Sequence, residues 1–315
     1  MNLQTKILLK KETENTISYH SKVFLLGSCF SEHIGNQLNY FKFQTHQNPF
    51  GILFHPKAIE NLITNVICKK KYTAKDLIFQ NERWHSFDAH SKISSSDQET
   101  ILNNLNLNIN TTNKELKEAS HIIITLGTSW VYTYTATETI VANCHKIPQK
   151  KFSKKLLSID EISTSLETII SLLSSINKDI NIIFTVSPVR HLKEGIVQNL
   201  RSKAHLIAAI HNLHHCKNVR YFPSYEIMMD ELRDYRFYAE DMIHPNKTAI
   251  RYIWEKFVST WITENSIPIM KEVESIQKGL AHKPLNKNSE KYQIFLHDLN
   301  KKKEQLKNTF SFLEF

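Results

Sequence analysis

The residues best suited to chemistry lie in Val23-Phe24-Leu25-Leu26-Gly27-Ser28-Cys29-Phe30-Ser31-Glu32, where an apolar run stops at a Gly-Ser-Cys turn and a helix pattern begins. A nucleophile on such a strand-to-helix turn meets the unsatisfied amides of the helix start, and their positive field favours a thiolate. Either Ser28 or Cys29 suits attack on an acyl carbon.

A second group, Asp241-Met242-Ile243-His244-Pro245-Asn246, precedes a strongly periodic helical segment. In a short loop, Asp-x-x-His lets the carboxylate hold one imidazole nitrogen while the other faces a nucleophile. Arg190 and His191 follow a buried strand and suit an anionic substrate group or a neighbouring carboxylate. His85, Asp88 and His90 offer metal-capable atoms without the helical spacing of a metal pair, so surface or supporting roles are expected and no metal or cofactor is implied. His211, His214, His215 and Cys216 end a helix, where imidazoles meet the dipole favourably.

These groups need a scaffold that brings them together. Val23 to Leu26, His121 to Leu126 and Asn181 to Val186 are continuous apolar runs, as strands buried on both faces require, and Val219 to Pro223 is a shorter one. Between them, 160–177, 194–213 and 247–261 read as amphipathic helices, and 57–67 as a helix opened by His55-Pro56. Such alternation predicts an α/β fold: a three-layer sandwich around a central, mostly parallel, flavodoxin-like sheet. Ligands then bind beyond the carboxyl ends of the strands, which collects Gly27-Ser28-Cys29, Gly127-Thr128-Ser129 and Ser187-Pro188-Val189-Arg190-His191 along one edge.

Residues 1–21 form an N-terminal extension and 22–264 the α/β domain. An insertion is expected around 69–120, with the Asn-rich stretch Asn103 to Asn113 on the surface, and a helical appendage over 265–315. The appendage reads as two helices broken near Pro284, the second packing Tyr292, Phe295, Leu296, Leu299 and Leu306 on the body.

At 315 residues, 41% hydrophobic and 23% charged, the chain has the composition of a globular protein. No segment has the apolar length of a membrane span or a signal-peptide core, and a cytoplasmic protein is expected. The four cysteines, Cys29, Cys68, Cys144 and Cys216, have no paired spacing, which argues against a disulfide framework or zinc knuckle. The net charge of +9 sits largely in lysine runs such as Lys69 to Lys71 and Lys301 to Lys303, without interleaved aromatics, so no nucleic-acid partner is expected.

The order of these blocks resembles the SGNH, or GDSL-type, hydrolase superfamily. More narrowly it resembles the GSCFA family, through Gly27-Ser28-Cys29-Phe30-Ser31, Asn48-Pro49-Phe50-Gly51, Leu126-Gly127-Thr128-Ser129-Trp130, Asn143-Cys144-His145-Lys146, Ser187 to His191 and Asp241 to Pro245. The resemblance implies an acyl-ester hydrolase acting on a small-molecule or saccharide acyl ester, or an acyltransferase with the same residues. A non-catalytic binding module on that scaffold is the third possibility. Aligned with Gly-Asp-Ser-Leu, Cys29 takes the place of the nucleophilic serine and Ser28 that of the aspartate. Ser129 stands where the superfamily has asparagine, so the oxyanion donors implied are the amides of Cys29 and Gly51, with the Ser129 hydroxyl as a third.

Overall fold

Val23 to Leu26 alternate in which face they bury, and that alternation builds the molecule. Phe24 and Leu26 enter one apolar core with Ile122, Ile124, Ile182 and Phe184, while Val23 and Leu25 enter a second on the opposite face with Ile123 and Ile183. A computed structural model describes residues 5–315. Its central sheet comprises β1 (Lys22–Gly27), β2 (Gln44–Gln47), β3 (His121–Leu126), β4 (Asn181–Val186) and β5 (Val219–Phe222). All pair in parallel in the order β2-β1-β3-β4-β5, with Gly27 opposite Thr125 and Leu126 opposite Val186. This is the flavodoxin-like doubly wound arrangement, and its strand order reverses between β1 and β3.

Among the described residues, eight longer helices complete the layers: α1 (Cys29–Tyr40), α2 (Pro56–Ile67), α3 (Gln98–Glu118), α4 (Ile159–Ile176), α5 (Ile196–His211), α6 (Lys247–Trp261), α7 (Ser266–Ala281) and α8 (Glu290–Thr309). Helices α2 to α5 cover the first core. Helices α1, α6, α7 and α8 cover the second. Local sequence fixes their starts: Ser158 and Glu161 form a capping box on α4, and Asn246 accepts from Thr248 and Ala249 to cap α6. Among the described residues, no helix is long and apolar enough to cross a membrane.

The Asn-rich stretch corrects the expectation of a surface insertion. It belongs to α3, the crossover toward β3, and Ile101, Leu105, Ile109 and Leu116 are buried at four- and seven-residue spacing, while Asn103, Asn104 and Asn110 are exposed. Next to it, Asp88 accepts from Asn61 (2.9 Å), Asn65 (3.3 Å), Lys70 (2.9 Å) and Tyr72 (3.1 Å), tying its loop to α2. His85 is engaged by Ser94 and the carbonyl of Gln80, and His90 Nδ1 accepts from Lys92 N.

The C-terminal helices belong to the second core. Leu299, Leu306, Phe310 and Leu313 are buried there, and the Phe310 ring lies 5.3 Å from that of Tyr19. The N-terminal segment joins the same face through Ile17, whose N–H donates to Trp261 O at 2.8 Å and whose carbonyl accepts from Thr263 at 3.0 Å.

Candidate active site

Gly27 makes the first turn possible. Its φ is +136°, and a Cβ there would lie 2.2 Å from the carbonyl oxygen of Thr125 on β3, so any side chain collides with backbone. The chain crosses the end of β3 at this close approach, with Ser28 N donating to Thr125 O at 3.0 Å, Gly27 N to Asn48 Oδ1 at 2.9 Å and Leu53 N to Gly27 O at 3.1 Å. Ser28 then caps α1: its Oγ accepts from Phe30 N at 3.3 Å, and the residue is only 5% exposed. Cys29, the first helical residue, is half-buried.

The helix start does not by itself ionise this thiol. Burial pushes the Cys29 thiol up and the Glu32 carboxylate adds to that, while the N–H groups of Cys29 and Phe30 and the Lys203 ammonium work the other way without prevailing. The expected lowering by the helix terminus is therefore reversed: desolvation and a first-turn glutamate outweigh the dipole. Glu32 is itself paired with Lys92 at 2.9 Å.

Asp241 and His244 occupy a braced loop before α6. Asp241 Oδ1 accepts the backbone N–H groups of Ile243 (2.9 Å) and His244 (3.0 Å), and Oδ2 faces His244 Nδ1 at 2.7 Å. The His244 N–H and imidazole, with the Ile243 N–H, hold the Asp241 carboxyl far down, at about 2. Both side chains are open to solvent, His244 at 44% and Asp241 at 46%. His33 lies on α1, one helical turn beyond Cys29. Burial lowers the His33 pKa, and the charge of His244 lowers it further. Among the described residues no hydrogen bond joins Cys29 to His244.

Arg190 braces that loop. Its N–H donates to Ile243 O and its Nη1 to Met242 O, both at 3.2 Å, and its guanidinium lies 4.1 Å from the Tyr238 ring centre. His191 turns the other way. Its N–H donates to Asn199 Oδ1 at 2.8 Å, its ring sits 3.3 Å from Glu194 Oε2, and burial lowers its pKa. It helps line a cavity of about 150 Å³ with Phe54, Trp130, Tyr132, Cys144 and Lys193.

Two expected oxyanion donors are engaged elsewhere. Gly51 N–H closes the Asn48–Gly51 turn on Asn48 O at 2.7 Å. Ser129 is fully buried, its hydroxyl donating to Ser202 O at 3.0 Å and its N–H to Ser202 Oγ at 2.8 Å, which fastens the turn after β3 to α5. That leaves the Cys29 amide. Asn48 carries an unused donor at the same turn: its Oδ1 accepts from Gly27 N, while its Nδ2 is buried without a hydrogen-bond partner among the described residues.

The residue that sequence reasoning missed is Lys203, on α5. It is 1% exposed, and its Nζ donates to Gly127 O and Ser187 O, both at 2.7 Å, joining the carboxyl ends of β3 and β4. Burial drives its pKa down to about 7, while Cys29 acts to raise it. Only its place on the inward face of an otherwise ordinary amphipathic helix could have signalled it.

The GSCFA family profile matches residues 22–257, which include the turns after β1, β3 and β4 and the Asp241–His244 loop. The chain belongs to the GSCFA family. A second profile, the C-terminal domain of GSCFA domain proteins, matches residues 273–315, which hold most of α7 and all of α8. No curated protein matches this GSCFA chain. Among solved structures it is similar to a carbohydrate esterase family 3 protein from Talaromyces cellulolyticus, at 8% identity and a TM-score of 0.38, over 81% of this chain and 99% of that one. It is also similar to an acetyl esterase mutant with acetate ion, at 10% identity and a TM-score of 0.37, over 80% and 99% of the two chains.

Proposed function

We propose that the protein is an acyl-ester hydrolase of the SGNH type with Cys29 as nucleophile, His244 as proton carrier and Asp241 as its orienting carboxylate. The Cys29 thiolate attacks the ester carbonyl carbon, the C–O bond breaks, and the leaving alkoxide takes a proton from His244. Water then attacks the thioester, gives its proton to His244, and the C–S bond breaks to release the acid. The Cys29 N–H at the start of α1 faces the developing oxyanion. The aromatic walls of Trp130, Tyr132 and Phe54 beside the same strand ends suit a sugar ring or a small acyl group, which favours a saccharide or other small acyl ester.

One observation carries this reading. The carboxyl edge of the sheet presents a thiol at a helix start, and the loop before α6 presents a histidine already oriented by a carboxylate at 2.7 Å, whose charge acts on His33 one turn along α1 from Cys29. It also favours Cys29 over Ser28, because the Ser28 hydroxyl is buried in its capping role. Closure between Cys29 and His244 then accompanies substrate binding.

Intact-protein mass spectrometry after exposure to activated acyl esters tests it. An acyl adduct kept in Ser28→Ala and lost in Cys29→Ala is the expected result. Release of free acid identifies a hydrolase; acyl appearing on an added saccharide identifies a transferase. An adduct that survives Cys29→Ala, or none on any protein, overturns the assignment.

A further inference from the structure

A groove of about 950 Å³ lies between α1, α6 and α7, far roomier than the 150 Å³ cavity at the strand ends. Each helix gives it one face. On α1 the lining residues His33, Gln37 and Tyr40 follow one another at four and three residues, and the stripe continued four residues toward the helix start reaches Cys29. On α6 they are Ile250, Trp254 and Val258 at four-residue spacing, with Lys247 at the first turn, and on α7 they include Ile267 and Met270.

The groove is therefore continuous with the residues proposed for the chemistry. Its α1 wall prolongs the face on which Cys29 stands, and its α6 wall opens at Lys247, three residues after His244. The action of the His244 charge on His33 agrees with that closeness. From there the groove leads away from the sheet edge: Phe41, just past the end of α1, stacks on Trp254 in the middle of α6 with ring centres 5.8 Å apart. Along α6, Lys247 to Val258 covers roughly 16 Å.

Its lining suits an apolar chain. Ile250, Trp254 and Met270 form a floor, each no more than 9% exposed, and the partly open Phe41, Val258 and Ile267 form the walls. Charges at the rim answer one another, Arg251 with Glu255 at 2.9 Å and Glu274 with Lys278 at 2.7 Å, so recognition falls to the apolar surface. An acetyl group on Cys29 leaves such a groove unused.

We infer that the groove between α1, α6 and α7 receives the alkyl chain of the acyl group, so that the substrate is the ester of a medium- or long-chain fatty acid. The cavity at the strand ends then takes the alcohol part. This deepens the acyl-transfer reading and rests on Cys29 being its nucleophile, but its first test needs no turnover.

The full chain is titrated calorimetrically with hexanoate, octanoate, decanoate and laurate, each below the concentration at which it forms micelles. One site per chain is expected, with affinity rising about tenfold for each added pair of methylenes. Ser259 is an exposed lining residue, so Ser259→Trp obstructs the groove without disturbing the core, and Ile267→Glu sets a carboxylate in its wall. Each is expected to weaken laurate binding about tenfold or more. No saturable binding, an affinity indifferent to chain length, or laurate binding unmoved in both folded variants overturns the inference. So does a parent chain that sediments as a dimer and dissociates in Ser259→Trp, since the groove is then a contact between two copies.

Activated acetate and laurate esters competing for Cys29, followed by intact mass, read the same site through its chemistry. The parent is expected to prefer laurate, and Ser259→Trp to lose about tenfold of that preference. Acetyl adducts on Cys29 with no laurate binding reject the groove alone. Chain-length-dependent laurate binding with no adduct of either length rejects the acyl-transfer reading alone.

Discussion

Asp241 holds His244 at two points: Oδ1 takes its backbone N–H at 3.0 Å and Oδ2 its ring Nδ1 at 2.7 Å. One carboxylate thus fixes both the position of the residue and the tautomer of its ring, leaving Nε2 for chemistry. Asp241→Asn can keep the backbone contact but presents an amide to Nδ1. On the proposed mechanism, turnover of an activated ester falls by about 10² to 10⁴-fold, with a thermal midpoint close to the parent because the pair is on the surface. The sign of the pH dependence follows from the direction of the shift. The folded-state pKa lies below the unfolded value, so the ion pair persists in mild acid and is lost only as pH falls through about 2. A rate profile that loses activity between pH 4 and 5 in the parent but not in Asp241→Asn would contradict this.

Ser28 and Cys29 separate stability from chemistry. Removing the Ser28 hydroxyl leaves Phe30 N–H without its capping acceptor, which costs about 1 kcal/mol of stability. Urea denaturation of Ser28→Ala should show that loss while acylation continues. Cys29→Ala should show the reverse, near-parent stability with no adduct.

Gly27→Ala is predicted to be far more damaging than a one-methyl change implies. The new Cβ meets the Thr125 carbonyl at 2.2 Å, and the φ of +136° is one that alanine rarely adopts. Relief requires β1 to move from β3 at the point where Ser28 N bonds Thr125 O. A loss of about 3 kcal/mol or more, or failure to accumulate as folded protein, is expected. A soluble Gly27→Ala protein with parental stability would show that the turn is looser than described.

How far the sequence reveals all this depends on where side chains are buried. Strands β1, β3 and β4 were legible because both faces are covered, so most of their residues are apolar, with Lys22, His121 and Asn181 only at the strand starts. The edge strand β2 was not, because Gln44-Thr45-His46-Gln47 pairs on one side only and carries no apolar run. Helix α3 hid for a related reason: its asparagines dominate the composition, while the buried stripe occupies a few spaced positions. Cys29, Asp241 and His244, the residues proposed for the chemistry, were singled out by type and spacing, Cys29 directly after a buried strand. Backbone amides were not, and Gly51 N–H proves to be spent on its own turn. Lys203 was invisible because a lysine on an amphipathic helix ordinarily faces water, and only the packed structure shows one aimed inward.

Arg190 is predicted to matter for geometry rather than for binding an anion. Its N–H and Nη1 hold the carbonyls of Ile243 and Met242, and its guanidinium rests on Tyr238, so it carries the Asp241–His244 loop. In Arg190→Ala the backbone contact remains while the guanidinium contacts are lost. The expected outcome is about tenfold lower kcat on an activated ester with KM little changed, since a small misplacement of His244 affects the chemical step first. A raised KM with unchanged kcat would instead assign Arg190 to substrate binding.

The C-terminal helices are predicted to stabilise the α/β body without taking part in its chemistry. Phe310 follows α8, is 8% exposed, and packs its ring 5.3 Å from Tyr19 on the segment leading into β1. Leu306 and Leu313 are buried in the same core, and α8 approaches α7 closely at Gly279, where a Cβ would stand 2.7 Å from Leu299 Cδ1. Phe310→Ala removes a large apolar side chain from its contacts with Tyr19 and His20, at a cost of about 3 kcal/mol. Gly279→Leu forces the two helices apart and is expected to destabilise by a further route, overpacking, at about 1–3 kcal/mol. The lysine-rich face of α8 plays no part in either effect. Both variants should therefore lower the thermal midpoint yet keep Cys29 acylation at temperatures where they remain folded. Loss of acylation in a folded Phe310→Ala protein would mean that these helices reach the site itself.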